Sequence, residues 1–368
     1  MSKLKTIGLS ALAGTLVSLS AAQAGGVSVG GTMEVTYTTL DTTSVTGHPL
    51  GTKKNISFSG GGEFANGWTY GILHVQNDGM SGLSSSSMNI NMGGIATLAY
   101  DAGTGGYGAN SVDNIVPTAW EEIDYGLSTG ISDLGQVSKS KGVVNFALKA
   151  PGAGTAVSVS YQSRMGADNH ADGATGAGTG DWGADMYLDI VNVNTGWFGY
   201  RLGSAAEYVY HKQARANADV DARRLGAAQG EVNQYENEWG GSVYTSLRVG
   251  PFSVGVQRSY VDNGSEKVAA VANNQSWVIG TAFTIGKFIS LSYGYGEDQY
   301  QYNNATRGQA DGVGGSNEKV TQEFEGASAA MNWGPLALKY TRNTLDNDKM
   351  DGDRLRDEHQ EINLSMAF

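Results

Sequence analysis

The chain has 368 residues, of which 36 are acidic and 24 basic, and its formal net charge is −12. That balance argues against nucleic acid as a partner and suits a surface or passage that gathers cations. Cysteine is absent, and 54 glycines against 5 prolines carry no triplet period, so disulfide closure and collagen are both excluded. The first element is Met1-Ser2-Lys3-Leu4-Lys5, a basic start, followed by an apolar stretch from Ile7 to Leu19 and a small-x-small site at Ala22-Gln23-Ala24. Residues 1–24 read as a secretory signal cleaved near Ala24, since the apolar part is too short to span a bilayer. Removing them takes Lys3 and Lys5 and leaves the mature chain, 25–368, at −14.

Beyond the signal no apolar run approaches the roughly 20 residues of a membrane helix. Mean hydropathy is −0.28. A barrel strand gives such an average, because every second residue faces lipid and the others face water. Strand-like alternation runs through the whole chain. Val157, Val159 and Tyr161 alternate with Ser158, Ser160 and Gln162, and Met186, Leu188 and Ile190 alternate with Tyr187, Asp189 and Val191. Val243 to Val249, Phe252 to Val256, Ile279 to Ile285 and Ile289 to Tyr295 repeat the pattern. Sixteen strands are expected, near 27–38, 54–64, 68–77, 86–93, 95–101, 141–150, 155–165, 182–193, 197–212, 237–249, 251–262, 275–285, 287–301, 320–333, 335–346 and 357–368.

The connections alternate in length. Tight turns fall at Asn66-Gly67, Gly93-Gly94, Gly152-Ala153-Gly154, Asn194-Thr195-Gly196, Gly250-Pro251, Gly286-Lys287 and Gly334-Pro335. Longer polar connections cover about 39–53, 78–85, 102–140, 166–181, 213–236, 263–274, 302–319 and 347–356. Aromatics gather at strand ends: Trp68, Trp197, Phe252, Phe288, Trp333 and Phe368 beside the short turns, and Tyr37, Trp182, Trp239, Tyr260 and Trp277 toward the long loops. This predicts two interfacial girdles. The last strand alternates Ile362, Leu364, Met366 and Phe368 with small or polar residues and runs to the final residue. A strand at a terminus needs partners on both sides, which a closed barrel supplies. The expected fold is all-β: a transmembrane antiparallel β-barrel of about sixteen strands with short turns on one side, long loops on the other, and a water-filled interior.

Taken together, the signal ending Ala22-Gln23-Ala24, the sixteen alternating strands, the long connection after the fifth strand and the terminal phenylalanine strand resemble the Gram-negative general porins. The resemblance covers the whole mature chain. It implies a homotrimer in the outer membrane, in contact with lipid and lipopolysaccharide, with turns periplasmic and loops extracellular. It also implies that Ile362, Leu364, Met366 and Phe368 form the signal read by the barrel-assembly machinery. The implied function is a passive, water-filled channel for ions and small hydrophilic solutes, with no catalysis and no cofactor. The acidic balance adds a cation preference. Two alternatives stay open: a substrate-specific, sugar-type channel, and an outer-membrane barrel enzyme.

In that family the third loop folds inward and narrows the pore. Here the third long connection, 102–140, carries Asp113, Glu121, Glu122, Asp124 and Asp133, with Asp101 at its root. An outward, glycine-rich surface loop has the same composition, and the resemblance favours the inward course. Opposite that loop the family places basic side chains, and strand phase selects Lys149, Arg164, Arg201, Arg248 and Lys339 as lumen-facing. A charge on the lipid face near mid-membrane would cost about 2–4 kcal/mol. Arg258 and Arg342 fall on the lipid face by the same phase, which places them near a rim or beyond a bulge. In the last long loop, Asp346, Asp348, Asp351 and Asp353 form either a solvated acidic face or a loose Ca²⁺ or Mg²⁺ site bridging lipopolysaccharide; their spacing departs from an EF-hand. Gly103-x-Gly105-x-x-Gly108 lacks a βαβ context, and Ser138-x-x-Lys141 lacks its partner motifs.

Overall fold

The computed structural model describes residues 26–41, 48–76, 83–112, 115–131, 134–139, 141–149, 156–163, 181–211, 237–264, 271–302, 319–346 and 356–368. Among these, the alternating segments form sixteen strands: β1 (Val27–Asp41), β2 (Leu50–Glu63), β3 (Thr69–Gln76), β4 (Leu83–Met92), β5 (Ala96–Ala102), β6 (Lys141–Lys149), β7 (Ala156–Gln162), β8 (Trp182–Asn194), β9 (Phe198–Tyr210), β10 (Glu238–Val249), β11 (Phe252–Asp262), β12 (Val271–Ile285), β13 (Ile289–Tyr302), β14 (Lys319–Trp333), β15 (Leu336–Asp346) and β16 (Arg356–Ala367). Each pairs antiparallel with its neighbours in sequence, and β16 pairs with β1 to close the barrel. The expected number of strands and their order are those observed. No helix among the described residues is long and apolar enough to cross a membrane. The signal segment lies outside the described residues.

Closure is carried by the last strand. The β1–β16 register runs from Thr32↔Ala367 to Asp41↔Glu358. Phe368 extends it, since its N–H donates to Gly31 O and its carbonyl accepts from Gly31 N–H, both at 3.1 Å. A Cβ on Gly31 would sit 2.7 Å from the Phe368 ring, so the glycine provides the shelf on which that ring rests.

Several strands outrun the expected spans. β1 continues to Asp41, β2 begins at Leu50, β4 at Leu83 and β12 at Val271. The cause is physical: backbone pairing needs no apolar side chain, so the ladder continues past the point where alternation against lipid stops. At that height Arg342 faces outward and is held by Glu358 at 3.1 and 2.8 Å. Arg258 also faces outward, opposite Val243 and Trp277.

The short turns use glycine with positive φ, as at Gly93 and Gly94 (68° and 78°) and Gly250 (57°). The apolar phase is exposed around the barrel, and the polar phase lies inside. One bulge changes the phase on β8: Asp189 pairs with Gly203, but the next pair is Val191↔Leu202. Val191, expected on the Tyr187/Asp189 face, therefore joins the outer face with Leu202, and Asn192 opposite Arg201 takes the inner one.

Candidate functional site

The connection between β5 and β6 lies inside the barrel. It opens with a turn braced by Asp101, whose carboxylate accepts N–H bonds from Thr104 (2.7 Å) and Gly105 (3.0 Å). A 3₁₀ turn (Gly108–Val112) follows, and a short helix, α1 (Gln136–Lys139), ends the excursion.

The segment crosses the inner wall and is tied to it strand by strand. Gly108 N–H donates to Ser158 Oγ on β7 at 2.9 Å. Ser138 N–H meets Asp185 on β8, and Val137 N–H meets Glu207 on β9, each at 2.9 Å. Gln257 on β11 donates to Val112 O at 2.8 Å. Ala119 N–H reaches Ser292 on β13 (2.8 Å), and Trp120 N–H reaches Ser328 on β14 (3.2 Å). Gly130 N–H donates to Asp298 at 2.7 Å. Asn343 on β15 donates to the carbonyls of Glu122 (3.2 Å) and Tyr125 (2.8 Å). Tyr125 meets His359 of β16 edge-on at 5.2 Å.

The segment's apolar side chains bury against the same wall. Ala109, Val112, Ile115 and Leu134 pack with Tyr187, Ala205, Tyr244 and Val261. Val116, Ile123 and Ile131 pack with Val278, Phe324 and Leu345. The buried core of this barrel is therefore the seam between loop and wall, and the contacts named here lie on the arc from β7 to β16.

The acidic residues expected on the loop divide into two groups. Asp101 (0 % exposed) and Asp124 (6 % exposed) are turned into the loop's own fold. Asp101 caps the first turn, and Asp124 accepts the Thr129 hydroxyl. These two are braces, which corrects the expectation that they line open lumen. A buried carboxylate keeps its place only where donors satisfy it, and backbone N–H groups at a turn are the nearest donors. Glu121 and Glu122 are partly exposed. Burial pushes the Glu121 carboxyl up to about 7; Glu361 and Glu34 add to the rise, while Lys339 and Lys53 oppose it. Burial also raises the Tyr125 hydroxyl, with Glu361, Glu121, Glu34 and Glu122 adding to it. Asp113 lies outside the described residues.

The expected basic residues are scattered. Lys339 on β15 is 7 % exposed and stands over the Trp120 ring, with Nζ 5.2 Å from its centroid. It belongs to a patch that strand phase alone did not single out. Lys339 and Asn363 are register partners, Asn363 donates to Glu34 Oε2 at 3.1 Å, Thr38 donates to Glu361 at 3.3 Å, and Glu34 pairs with Lys53 across β1 and β2. The side facing Glu121 is therefore Lys339, Glu361, Glu34 and Lys53, of mixed sign.

Arg201 points inward but is engaged within the wall. It donates to Tyr187 OH at 2.6 Å, pairs with Asp189 at 3.2 Å and lies 5.5 Å from the Tyr244 ring centroid. Tyr244 OH donates to Asp189, and the two tyrosine rings stack at 6.3 Å. Arg248 sits at the short-turn mouth, donating to Gly196 O and Asn194 Oδ1 at 2.7 Å each. Lys149 is exposed at the short-turn end of β6. The expectation of one basic wall across from the loop is corrected: Arg201, Arg248 and Lys149 lie on β9, β10 and β6, far around the barrel from the β15–β2 patch. Arg164, Asp348, Asp351 and Asp353 lie outside the described residues; Asp346 lies 3.9 Å from Arg356.

Sequence reasoning missed the polar side chains that hold the loop, namely Ser158, Gln257, Ser292, Ser328 and Asn343. Their signal was present, since each occupies the inward phase of its strand. Ser138, from the weak Ser-x-x-Lys match, serves the loop's own fold by accepting from Asn110 N–H (2.9 Å) and donating to Gly135 O (3.3 Å).

A closed sixteen-stranded antiparallel barrel with a polar interior is the fold of outer-membrane barrels. No protein-family model matches the chain, and no curated protein matches it in sequence. Solved structures match it in shape. A loop-deletion form of OmpT, an outer membrane protein of Vibrio cholerae, superposes at a TM-score of 0.61 with 11% identity, covering 94% of this chain and 100% of that one. Salmonella typhi OmpF in complex with daunomycin gives 0.59 and 10%, covering 93% and 97%. A further solved porin gives 0.55 and 10%, covering 93% and 100%. At such identities the likeness is one of fold, and the fold is porin-like.

Proposed function

We propose that this protein is an outer-membrane channel of the porin type, passing ions and small hydrophilic solutes passively and preferring cations. The observation that carries this reading is the inward loop. It covers the wall from β7 to β16 and presents Glu121 to the patch of Glu34, Lys53, Lys339 and Glu361. A polar-lined barrel of this size holds water. A narrowing with charges of both signs sorts solutes by size and by charge. The acidic balance, −14 once residues 1–24 are removed, gives the sign of the preference. On this reading the protein is not an enzyme: the buried serines and carboxylates serve as anchors of the loop.

The same reading makes the protein an oligomer, and one of the matching OmpT structures is described as a trimer form. We assign the contact face to β2–β4. There His74 and Ser86 are register partners on the outer surface, beside Phe58, where a polar pair against lipid is unfavourable. A cysteine at His74 should cross-link copies in native membranes; monomers alone would move the contact elsewhere.

Liposome swelling tests the channel. Vesicles carrying the folded protein should swell in isotonic solutions of small sugars, with rates that fall steeply as the solute grows. Vesicles that swell no faster than empty ones would remove the channel reading.

A further inference from the structure

Four lumen-facing positions on four consecutive strands are glycine, and they are mutual register partners: Gly255↔Gly280, Gly280↔Gly294 and Gly294↔Gly326, on β11, β12, β13 and β14. The row continues to Asn343 on β15. Together these glycines form a strip of wall without side chains, and the inward loop lies in it. A Cβ on Gly255 would stand 2.7 Å from Pro117 Cδ, and one on Gly280 would stand 3.0 Å from Val116 Cβ and 3.1 Å from Pro117 O. A Cβ on Gly294 would fall 2.0 Å from Ile123 Cδ1. On Gly326 it would stand 2.4 Å from Ile123 O, 2.5 Å from Asn343 Oδ1 and 2.8 Å from Ile123 Cα. Short posts flank the strip: Ser292 and Ser328 hold Ala119 and Trp120, and Asn343 holds Glu122 and Tyr125.

Glycine in a strand interior weakens it and marks a site where another backbone approaches closely. Four in register on one face, under one loop, share that cause. We propose that Gly255, Gly280, Gly294 and Gly326 are the seat that fixes how far the loop stands from the wall, and that they thereby set the open cross-section of the lumen and its size limit. The inference rests on the channel reading. A methyl group under the loop has nowhere to go, because the wall is a hydrogen-bonded sheet and the loop core is close-packed. The loop therefore moves away from the wall, carrying Glu121 toward Glu361, Glu34 and Lys53.

The test uses Gly294→Ala and Gly326→Ala, with Gly30→Ala as control. Gly30 also faces inward, on β1, but its added Cβ makes ordinary contacts at 3.6 Å. Single-channel conductance should fall about twofold or more in the first two and stay unchanged in the control. From the loop, the obstacle at Gly294 is the end of the Ile123 side chain, whereas at Gly326 it is Ile123 backbone; the wall's own Ile279 O and Asn343 Oδ1 stand beside them and are the same whatever residue is at 123. In an Ile123→Ala background, Gly294→Ala should therefore lose most of its effect while Gly326→Ala keeps it. If an alanine variant fails to assemble, the same dependence is read from heat-modifiable folding: Ile123→Ala restores Gly294→Ala and not Gly326→Ala. A second readout needs no current. With cysteines in place of Glu121 and Glu361, disulfide formation should be faster when Gly326→Ala is added. A wild-type protein that conducts nothing would end the channel reading, and the disulfide rate would still judge the seat. Unchanged conductance in both variants with an unchanged disulfide rate in Gly326→Ala would overturn the seat, as would a Gly294→Ala effect undiminished by removal of the Ile123 side chain.

Discussion

At the scale of single residues, Glu121 is the group whose state matters most. A carboxyl held near 7 is neutral below that value and ionised above it. Cation preference should therefore rise as pH is raised through about 7, and Glu121→Gln should flatten that rise while lowering preference at high pH. A pH series of reversal potentials reads both; a rise that persists in Glu121→Gln would assign the titration to another group. Arg248 and Arg201 differ in a way that phase alone did not reveal. Both are half-buried, but Arg248 makes its hydrogen bonds in the open at the short-turn mouth, to Gly196 O and Asn194 Oδ1, while Arg201 is engaged within the wall by Tyr187, Asp189 and Tyr244. Cysteine at 248 should react quickly with a water-soluble thiol reagent, and cysteine at 201 at least about tenfold more slowly, since reaction tracks access. Equal rates would contradict the enclosure. Alternation tells which face a residue takes, so the inward phase of Arg201 and Lys339 was legible. It does not tell whether a charge meets water or a partner from another strand. Asp101 and Asp124 escaped for the same reason, because a capping carboxylate and a pore-lining one look alike in sequence.

Among the elements, the strands were legible in number and order, though β2 begins at Leu50 and β12 at Val271, ahead of the expected 54 and 275; the loop's anchoring to the wall was not. A strand in a barrel repeats one physical demand, apolar outside and polar inside, at every second position. The loop meets a different neighbour at each residue, so its course had no periodic trace. Its anchors give a direct prediction. Asp298 accepts both the Gly130 N–H and Gln322 Nε2 (2.9 Å); its removal takes the acceptor from the Gly130 N–H, while Gln322 Nε2 keeps Ser128 O and Tyr300 OH. Asp298→Ala should destabilise the loop's seat by about 1–3 kcal/mol, seen as noisier single-channel current with the barrel intact. A current as quiet as wild type would show the anchor is dispensable. β16 allows a sharper test. Phe368 contributes the last pair of hydrogen bonds across the seam and lies on Gly31. Deleting it should cut the yield of folded, heat-modifiable protein severely, whereas the conservative Phe368→Tyr should be tolerated; normal assembly of the deletion would contradict the role given to the terminus. The β8 bulge marks the limit of phase arguments, since one extra residue put Val191 and Asn192 each on the face opposite to the one its phase predicts.

The whole molecule joins a closed wall, an inward loop lying on that wall, and a remaining arc lined by charges of both signs. The porin-like architecture was legible from composition, alternation and loop lengths together, because closure, lipid exposure and a wet interior each constrain many residues at once. The seat of the loop was not, because it depends on glycines that meet only through register across four strands. The central claim is that the remaining arc conducts and that the excess of acidic groups decides which ions pass. A planar bilayer recording under a KCl gradient tests it most directly. Stepwise conductance increments on insertion and a reversal potential displaced toward that of K⁺ are expected. A folded protein that gives no increments, or a reversal potential displaced toward that of Cl⁻, would contradict it.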